Sequence, residues 1–311
     1  MVDTSKIRIG TRGSPLALIQ AETLRRALAD AHPAIAGRLA IEVITTTGDR
    51  VRDRALSEIG GKGLFTKEIE AALQDGSIHL AVHSMKDMPT WLPDGLAIVC
   101  QLPREDARDA LIAKGARSID ALGRGAVIGS ASLRRKAQLL IRRPDLKVVL
   151  FRGNVGTRLD KLAAGEVDGT LLAMAGLKRL GMVEQARAVA LPMDQMLPAV
   201  GQGSVCIECR ADDGATRALL APLNHAATEI AVSAERAFLA VLDGSCRTPI
   251  AGHAVIDGGE VHFRGLIARP DGSEHHRAER RGPAAEAEAL GRDAGEELRA
   301  LAGPGFFDDD T

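Results

Sequence analysis

One pattern occurs twice in this chain: a short apolar strand, a polar loop and a helix. Residues 7–10 read as a strand, and Ser14 followed by Pro15 starts an amphipathic helix, since serine caps helix N-termini and proline fits the first helical position. The same order returns with a strand over 126–129, a serine-rich loop and a helix over 133–141. Strands that alternate with helices form parallel sheets. The sequence therefore predicts an α/β protein with two lobes of similar design.

The second half of each unit repeats as well. A helix over 68–76 ends at a glycine, which commonly terminates helices, and a strand over 78–82 follows at once. Later, a helix over 158–165 also ends at a glycine and precedes a strand over 167–172. Each lobe is therefore expected to contain the same succession of strands and helices.

The order of these segments predicts that the second lobe is inserted into the first. Residues 104–192 already contain a complete unit, and the segment 195–209 leads into one more strand. We therefore expect a discontinuous lobe 1 over residues 1–102 and 197–221, and an inserted lobe 2 over 103–196. Two chain crossings make a hinge with a cleft, on which the loops after the parallel strands should converge.

The pattern changes near residue 222. A helix over 228–242 leads into a turn that contains Cys246, two hairpin turns then separate three strands, and a last helix covers about 284–301. We predict a small C-terminal α+β domain over 222–311 that presents Cys246 to the cleft. The expected fold is thus α/β, with two periplasmic-binding-protein-like lobes, a hinge and this third domain.

Charge and composition argue against several classes of function. The formal net charge is -1 and aromatic residues make up 2% of the chain, so neither a positive field nor aromatic stacking favours nucleic-acid binding. No apolar run approaches the roughly 18 residues that span a bilayer. The N-terminus reads as a strand rather than a signal sequence. We expect a cytoplasmic monomer without membrane or nucleic-acid partners.

Arginines form the clearest group of candidate ligand-binding residues. Arginine binds carboxylates in a bidentate manner and keeps its charge when desolvated, and Ser130 and Ser132 precede a helix whose N-terminal N–H groups attract anions. The pattern predicts a small polycarboxylate or phosphorylated ligand, with solvated helix faces as the alternative. The arginines at loop or early-helix positions are Arg12, Arg134, Arg135, Arg152, Arg158 and Arg179.

Cys246 and Asp87 could carry covalent and acid–base chemistry. Gly244 allows a sharp turn before Cys246, and the neighbouring Arg247 favours thiolate over thiol; an inert, buried cysteine is the alternative. Asp87 follows an apolar strand beside Lys86, where a carboxylate could act as a general base or stabilise a developing cation. The alternative for Asp87 is a turn-forming residue before a proline.

Two further motifs have more than one interpretation. Cys206 and Cys209 are spaced like a zinc or redox pair, but no second pair completes a metal site, and a strand would point their side chains to opposite faces. We therefore expect no metal. The glycine-rich segment 60–63 lacks the spacing of a phosphate-binding P-loop, which favours a mobile loop.

A series of motifs resembles the porphobilinogen deaminase family, also called hydroxymethylbilane synthases. The motifs occur in the family's order and cover most of the chain, and the match is weakest over the final strands and helix. They are GTRGSPLAL (10–18), GKGLF (61–65), HSMKDMP (83–89), GSASLRR (129–135), RGNVGTR (152–158), AGLKRL (175–180) and LPAVGQG (197–203).

This resemblance implies a three-domain enzyme of tetrapyrrole synthesis. Such an enzyme condenses four porphobilinogen molecules head to tail, releases ammonia each time and hydrolyses off hydroxymethylbilane. A dipyrromethane cofactor would stay attached by a thioether to Cys246, which lies in the motif GSCRTPI (244–250).

The resemblance also assigns roles to single residues. Asp87 would stabilise the cation formed when ammonia leaves, and would manage the proton lost when the ring becomes aromatic again. Arg12 and Arg152 would assist the leaving group and bind substrate carboxylates, and Arg179 would bind substrate. The remaining implied residues are Lys62 and Phe65 in a loop that covers the cleft, and Ser14, Ser84, Lys86, Ser130, Ser132, Arg134, Arg135 and Arg158 around the cofactor and the growing chain.

Two functions of other classes compete with this interpretation. One is a two-lobed ligand-binding protein without chemistry, which ammonia release from porphobilinogen would exclude. The other is an arginine-rich nucleic-acid binder, for which a gel shift weakened by salt would be required.

Overall fold

A computed structural model describes residues 6–50, 63–243 and 248–307. Two residues with predicted roles, Lys62 and Cys246, lie outside this part of the chain. The strands are β1 (Ile7–Thr11), β2 (Leu39–Val43), β3 (Leu80–Ser84), β4 (Leu96–Gln101), β5 (Asp109–Ala113), β6 (Val127–Gly129), β7 (Lys147–Val149), β8 (Gly169–Ala173), β9 (Val189–Ala190), β10 (Val205–Arg210), β11 (Ile250–Asp257), β12 (Glu260–Ala268) and β13 (His275–Pro283). The α-helices are α1 (Pro15–Ala31), α2 (Thr47–Arg50), α3 (Lys67–Gln74), α4 (Leu133–Arg142), α5 (Val155–Ala163), α6 (Met174–Arg179), α7 (Gly214–Leu220), α8 (Ala226–Val241) and α9 (Ala287–Ala302).

Two five-stranded sheets share one topology. The first sheet has the order β2-β1-β3-β10-β4, and the second has the order β7-β6-β8-β5-β9. In each sheet the first three strands are parallel and the last two join by antiparallel pairing. The sheets confirm the predicted α/β fold with two similar lobes. They also show that β10, which follows the whole second sheet in the chain, completes the first sheet.

The helix α1 begins where the sequence predicts. The side chain of Ser14 accepts a hydrogen bond from the backbone N–H of Ala17 at 3.3 Å, and Pro15 occupies the first helical position. Leu24 and Leu28 on this helix are fully buried against the first sheet. In the second lobe, the side chain of Ser132 caps α4 in the same way, by accepting a hydrogen bond from the backbone N–H of Arg135.

The predicted strand at 78–82 begins two residues later than expected. The helix α3 ends at Gln74, and the side chain of Asp75 then accepts a hydrogen bond from the N–H of Ser77 at 2.8 Å. Gly76 adopts a left-handed conformation with φ of +76°. This local turn, which aspartate and glycine favour, places the end of β3 at Ser84, next to the predicted site residues.

The C-terminal part is a three-stranded antiparallel sheet, β11-β12-β13, packed with α8 and α9. Phe238 of α8 packs against Phe263 of β12, with ring centroids 5.0 Å apart. A side chain at Gly291 of α9 would place its Cβ 1.9 Å from the carbonyl oxygen of Ala234. Glycine is therefore required where these two helices meet, and the predicted small α+β fold is confirmed.

The chain divides into two compact units. Among the described residues, the first unit contains 6–50, 63–105 and 204–229, and the second contains the remainder of the chain from residue 106 onward. The second unit therefore includes both the second sheet and the C-terminal sheet. The predicted division into three domains stays a prediction. Among the helices described, none is long and apolar enough to cross a membrane.

Candidate active site

The first group of predicted site residues lines a pocket at the carboxyl ends of β1 and β3. Arg12 directly follows β1, and Asp87 ends a short 3₁₀ turn that follows β3. Because the carboxyl ends of neighbouring parallel strands meet at one edge of a sheet, the fold brings these residues together. This pocket, here the β3 pocket, is lined by Arg12, Ser14, Leu16, Ala17, Gln20, Phe65, Thr66, Val82, His83, Ser84 and Asp87.

The guanidinium of Arg12 is held by Asp49, a residue that the sequence analysis did not identify. Its Nη2 and Nε donate to the Asp49 carboxylate at 2.5 and 3.3 Å, and the hydroxyl of Thr46 donates to the same carboxylate at 2.8 Å. Burial alone would raise the pKa of Asp49, but the hydrogen bonds from Arg12 and Thr46 outweigh it and lower that pKa. Arg12 is therefore fixed at the pocket with an ionised partner.

Phe65 covers the other side of Arg12. The guanidinium carbon lies 4.1 Å from the centroid of the phenyl ring, a cation–π contact. A Cβ at Gly48 would lie 2.2 Å from the same ring, so the absence of a side chain there allows the ring to approach. The predicted loop residue Phe65 is thus a wall of the β3 pocket.

Ser84 and Asp87 occupy the wall formed by the end of β3. Nε2 of Gln20 donates to the Ser84 hydroxyl at 2.9 Å, which ties α1 to the strand end. Met85 and Met88 on either side of the turn are buried, whereas Asp87 is exposed and Lys86 is half-buried. The carboxylate of Asp87 is therefore available to a ligand in the pocket.

A second group of predicted residues lies around the second sheet, where Asp109 forms a buried centre of negative charge. Nη1 of Arg134 donates to Asp109 at 2.7 Å, while Nη2 and Nε of Arg135 donate to it at 2.7 and 3.1 Å. The side chain of Gln202 donates to the same carboxylate at 3.1 Å. Burial would raise the pKa of Asp109, but the two guanidiniums outweigh it and hold that pKa well below its usual value.

Two of the predicted cofactor ligands, Arg134 and Arg135, bind this buried carboxylate. Arg134 is 5% exposed and also donates to the carbonyl oxygen of Leu197 at 2.7 Å. Arg135 donates in addition to the carbonyl oxygen of Leu171 at 2.9 Å. Arg134 thus connects the 197–203 loop to Asp109 of the second sheet. Asp109 also compensates part of the charge of Arg135.

Arg135, Arg152 and Arg158 form an arginine cluster. Burial, together with the charges of Arg135 and Arg152, lowers the pKa of Arg158 to about 10. Nη1 of Arg152 is buried and has no hydrogen-bond partner within the described residues. A buried donor without a partner is costly, so the cluster is suited to an anionic ligand that would satisfy it.

Ser130 and Ser132 lie at the start of α4, next to this cluster in the chain. The hydroxyl of Ser130 accepts a hydrogen bond from the N–H of Ser132 at 3.2 Å, and the hydroxyl of Ser132 accepts one from the N–H of Arg135 at 3.4 Å. Arg179 lies at the end of α6 and donates to the carbonyl oxygen of Gly203 at 2.8 Å.

The three described cysteines are buried and form no disulfide among the described residues. Burial raises the pKa of Cys100 to about 12 and the pKa of Cys209 to about 11, so both remain thiols near neutral pH. Cys206 and Cys209 lie three positions apart on β10, which agrees with the predicted strand. Within the described ranges, no cluster of three or more histidine, cysteine, aspartate or glutamate residues is arranged to hold a metal.

Comparison with known proteins adds the following findings. A family model described as "Porphobilinogen deaminase, dipyromethane cofactor binding domain" matches residues 7–218, and a second, "Porphobilinogen deaminase, C-terminal domain", matches residues 229–300. The porphobilinogen deaminase of Paracoccus denitrificans is 59% identical over 302 residues, which cover 97% of this chain and 96% of that protein. The chloroplastic porphobilinogen deaminase of Oryza sativa is 56% identical over 312 residues, covering 98% and 86%.

The comparison with solved structures also found a periplasmic aliphatic sulphonate binding protein from Escherichia coli. It is 16% identical to this chain, covers 76% of this chain and 70% of its own length, and gives a TM-score of 0.41.

Proposed function

The chain belongs to the porphobilinogen deaminase family, and from that premise we propose which of its residues hold the cofactor and carry the reaction. The enzyme condenses four porphobilinogen molecules head to tail, releases ammonia each time and hydrolyses off hydroxymethylbilane in tetrapyrrole biosynthesis. Its cofactor is dipyrromethane. When bound, this cofactor supplies the first nucleophilic pyrrole carbon.

The observation that carries the proposal is the arginine cluster, in which the buried Nη1 of Arg152 has no hydrogen-bond partner among the described residues. Each pyrrole unit bears an acetate and a propionate, so cofactor and product present several carboxylates. Carboxylates bind guanidinium groups in a bidentate manner and would satisfy the buried Nη1 of Arg152. We propose that Arg135, Arg152 and Arg158 hold these carboxylates. The N–H groups after Ser130 and Ser132 would add hydrogen bonds at the start of α4.

Cys246 is the proposed attachment point for the cofactor. Each of the three described cysteines is buried, and the raised pKa values of Cys100 and Cys209 leave little thiolate for a reaction. Arg247 follows Cys246 in the sequence, and a neighbouring guanidinium favours the thiolate that thioether formation requires.

Asp87 is the proposed catalytic carboxylate. Loss of ammonia from porphobilinogen leaves an electron-poor ring whose positive charge is shared with the pyrrole N–H. A carboxylate that accepts this N–H hydrogen bond stabilises the cation in the transition state. Asp87 is exposed at the β3 pocket, which supports this role.

Arg12 and Arg179 are the proposed substrate-binding residues, alongside Arg152 and Arg158. Arg12 uses Nη2 and Nε for Asp49, which leaves Nη1 for a substrate carboxylate. Ser14, Ser84 and Lys86 are proposed to contact the cofactor or growing chain, and Lys62 and Phe65 to belong to a covering loop. For Arg134 we propose that it supports the cofactor site, because it is buried and its Nη1 already donates to Asp109 and Leu197.

Three finer features of the protein are also proposed. They are a division into lobe 1 (1–102 and 197–221), lobe 2 (103–196) and a C-terminal domain (222–311), a cytoplasmic location and a monomeric state. Gel filtration with light scattering tests the monomer, and limited proteolysis tests the boundaries.

Turnover of porphobilinogen tests the proposed function. Ammonia should be released in a one-to-one ratio to porphobilinogen consumed, with hydroxymethylbilane as the product. Asp87→Asn should lower kcat by about 10²–10³-fold, since one charge-stabilising or proton-transfer group contributes about that factor. Exposed Asp120→Asn serves as the control. An Asp87→Asn enzyme that turns over at the parent rate would remove Asp87 from the mechanism.

A further inference from the structure

His83, the residue before Ser84 on β3, lies in the wall of the β3 pocket. Its side chain lines the pocket together with Arg12 and Asp87, although only 6% of the residue is exposed. The roles proposed above do not use it. A buried imidazole beside the reacting groups requires its own explanation, because a buried titratable group in a pocket is a candidate for proton transfer.

One ring nitrogen of His83 is fixed by Glu208. Nε2 lies 3.0 Å from Oε2 of this glutamate, which is fully buried in β10. In the antiparallel pairing of β3 with β10, Cys206 lies opposite His83 and Glu208 lies opposite Ala81. His83 and Glu208 are therefore diagonal neighbours on one face of the sheet.

The buried carboxylate of Glu208 has little other compensation. Its Oε1 has no hydrogen-bond partner among the described residues. An ionised carboxylate without a partner is very costly to bury, and the imidazole is the group able to offset it. His83 is therefore the hydrogen-bond partner that offsets the burial of Glu208.

Glu70 of α3 completes the set of titratable groups behind the pocket. It is 7% exposed. Burial raises its pKa and the charge of Glu208 adds to this effect, while Thr66 and His83 oppose it. Glu70 therefore has a raised pKa, whereas Glu208 is the carboxylate that contacts His83 directly. On the pocket side, the charged groups are Arg12 and Asp87.

Nε2 is the ring nitrogen of His83 that contacts Glu208, and the residue lines the β3 pocket, so Nδ1 is the nitrogen available to a group in that pocket. An imidazole held at one nitrogen by a carboxylate, with its other nitrogen free in a pocket, is the arrangement of an oriented general base. We propose that His83 is a proton-transfer residue of the β3 pocket, and that Glu208 is the residue that positions it. This proposal rests on the proposed role of Asp87.

Asp87 and His83 would have different roles in the same reaction step. After the new carbon–carbon bond forms, the attacking ring carbon still carries its hydrogen. The C–H bond then breaks, its electron pair returns to the ring, and the proton moves to Nδ1 of His83. The resulting imidazolium is stabilised by Glu208, and the proton passes to the ammonia released in the same cycle, giving ammonium. Asp87 remains opposite the cationic ring.

An isotope effect on this step distinguishes proton transfer from a structural role. The substrate is porphobilinogen deuterated at its free ring carbon, and the variants are His83→Asn and Glu208→Gln. We expect His83→Asn to lower kcat by about 10²-fold or more, with KM within threefold of the parent value and a larger isotope effect on kcat. Glu208→Gln keeps a hydrogen-bonding group but loses the charge, and should lower kcat by about tenfold with the same rise in isotope effect.

His253→Asn is the matched control, because His253 is also buried, at 4% exposure, but lies on β11 and not at the pocket. Its kcat and isotope effect should stay at the parent values. Intact mass shows beforehand whether each variant carries the cofactor, so a loading failure is recognised separately. If the His83→Asn variant carries too little cofactor to be assayed, the kinetics of the Glu208→Gln variant test the proposal. A loaded variant with parent kcat, or one with a lower kcat and an unchanged isotope effect, overturns the proposal.

Discussion

Replacing Asp109 by asparagine tests the support beneath the arginine cluster. The parent carboxylate is fully buried and accepts hydrogen bonds from Arg134 and Arg135 at 2.7 to 3.1 Å. Asparagine has a similar shape but no charge, so two guanidiniums would remain in the interior without their counterion. Removal of one partner from a buried ion pair destabilises proteins by about 3–5 kcal/mol.

The assay is reversible unfolding, followed by circular dichroism in urea and on heating. At about 2–4 °C per kcal/mol for a chain of this size, the expected loss corresponds to a fall in Tm of roughly 6–20 °C. The control is Asp120→Asn, which removes the partner of Arg142 at an exposed site and should leave the transition nearly unchanged. If Asp109→Asn and the parent unfold at the same urea concentration and the same temperature, this reasoning is refuted.

The pH dependence of the stability provides a second test of the same prediction. The pKa of Asp109 is lowered in the folded protein from its usual value of 3.8. A lowered pKa means that the stabilisation is present above the unfolded value and is lost as pH falls toward the folded one. The stability difference between parent and Asp109→Asn should therefore be constant from neutral pH to about pH 4, and should shrink at lower pH.

Three further predictions follow from single contacts. Gly291→Ala should destabilise the fold by at least about 1–3 kcal/mol, because the new Cβ meets the backbone of Ala234. Urea unfolding measures this loss of stability. The control is Gly37→Ala, which places a Cβ in open space and should not change stability. Asp49→Asn should raise KM several-fold, because Arg12 loses its ionised anchor; an unchanged KM in steady-state kinetics would contradict this. Arg152→Gln should abolish or reduce cofactor loading, measured by intact mass, whereas full loading would show that its buried Nη1 does not bind the cofactor.

The repeated lobes could be predicted because local signals determine them. The serine and proline at the start of α1 and the glycine after α3 each favour their observed structure without help from distant residues. The exact start of β3 could not be predicted, since a side-chain hydrogen bond between Asp75 and Ser77 decides it. Resemblance to a family likewise indicated which arginines matter, but not what supports them.

The supporting carboxylates were missed because their partners are distant in sequence. Asp109 lies 25 and 26 residues from Arg134 and Arg135, and Glu208 lies 125 residues from His83. One signal was present: Asp109 begins an apolar strand and Glu208 interrupts one, and a charged residue is rarely buried there without a partner. That signal indicates that a partner exists, but only the sheet topology, with β10 returning beside β3, identifies it.

The intact mass of the purified protein tests the central claim most directly. The account predicts an excess over the polypeptide mass equal to two linked pyrrole units, present in the parent and absent in Cys246→Ser. A parent chain purified without cofactor should gain the same excess on incubation with porphobilinogen. A parent that stays at the bare polypeptide mass after that incubation, or a Cys246→Ser variant that carries the adduct, would contradict it.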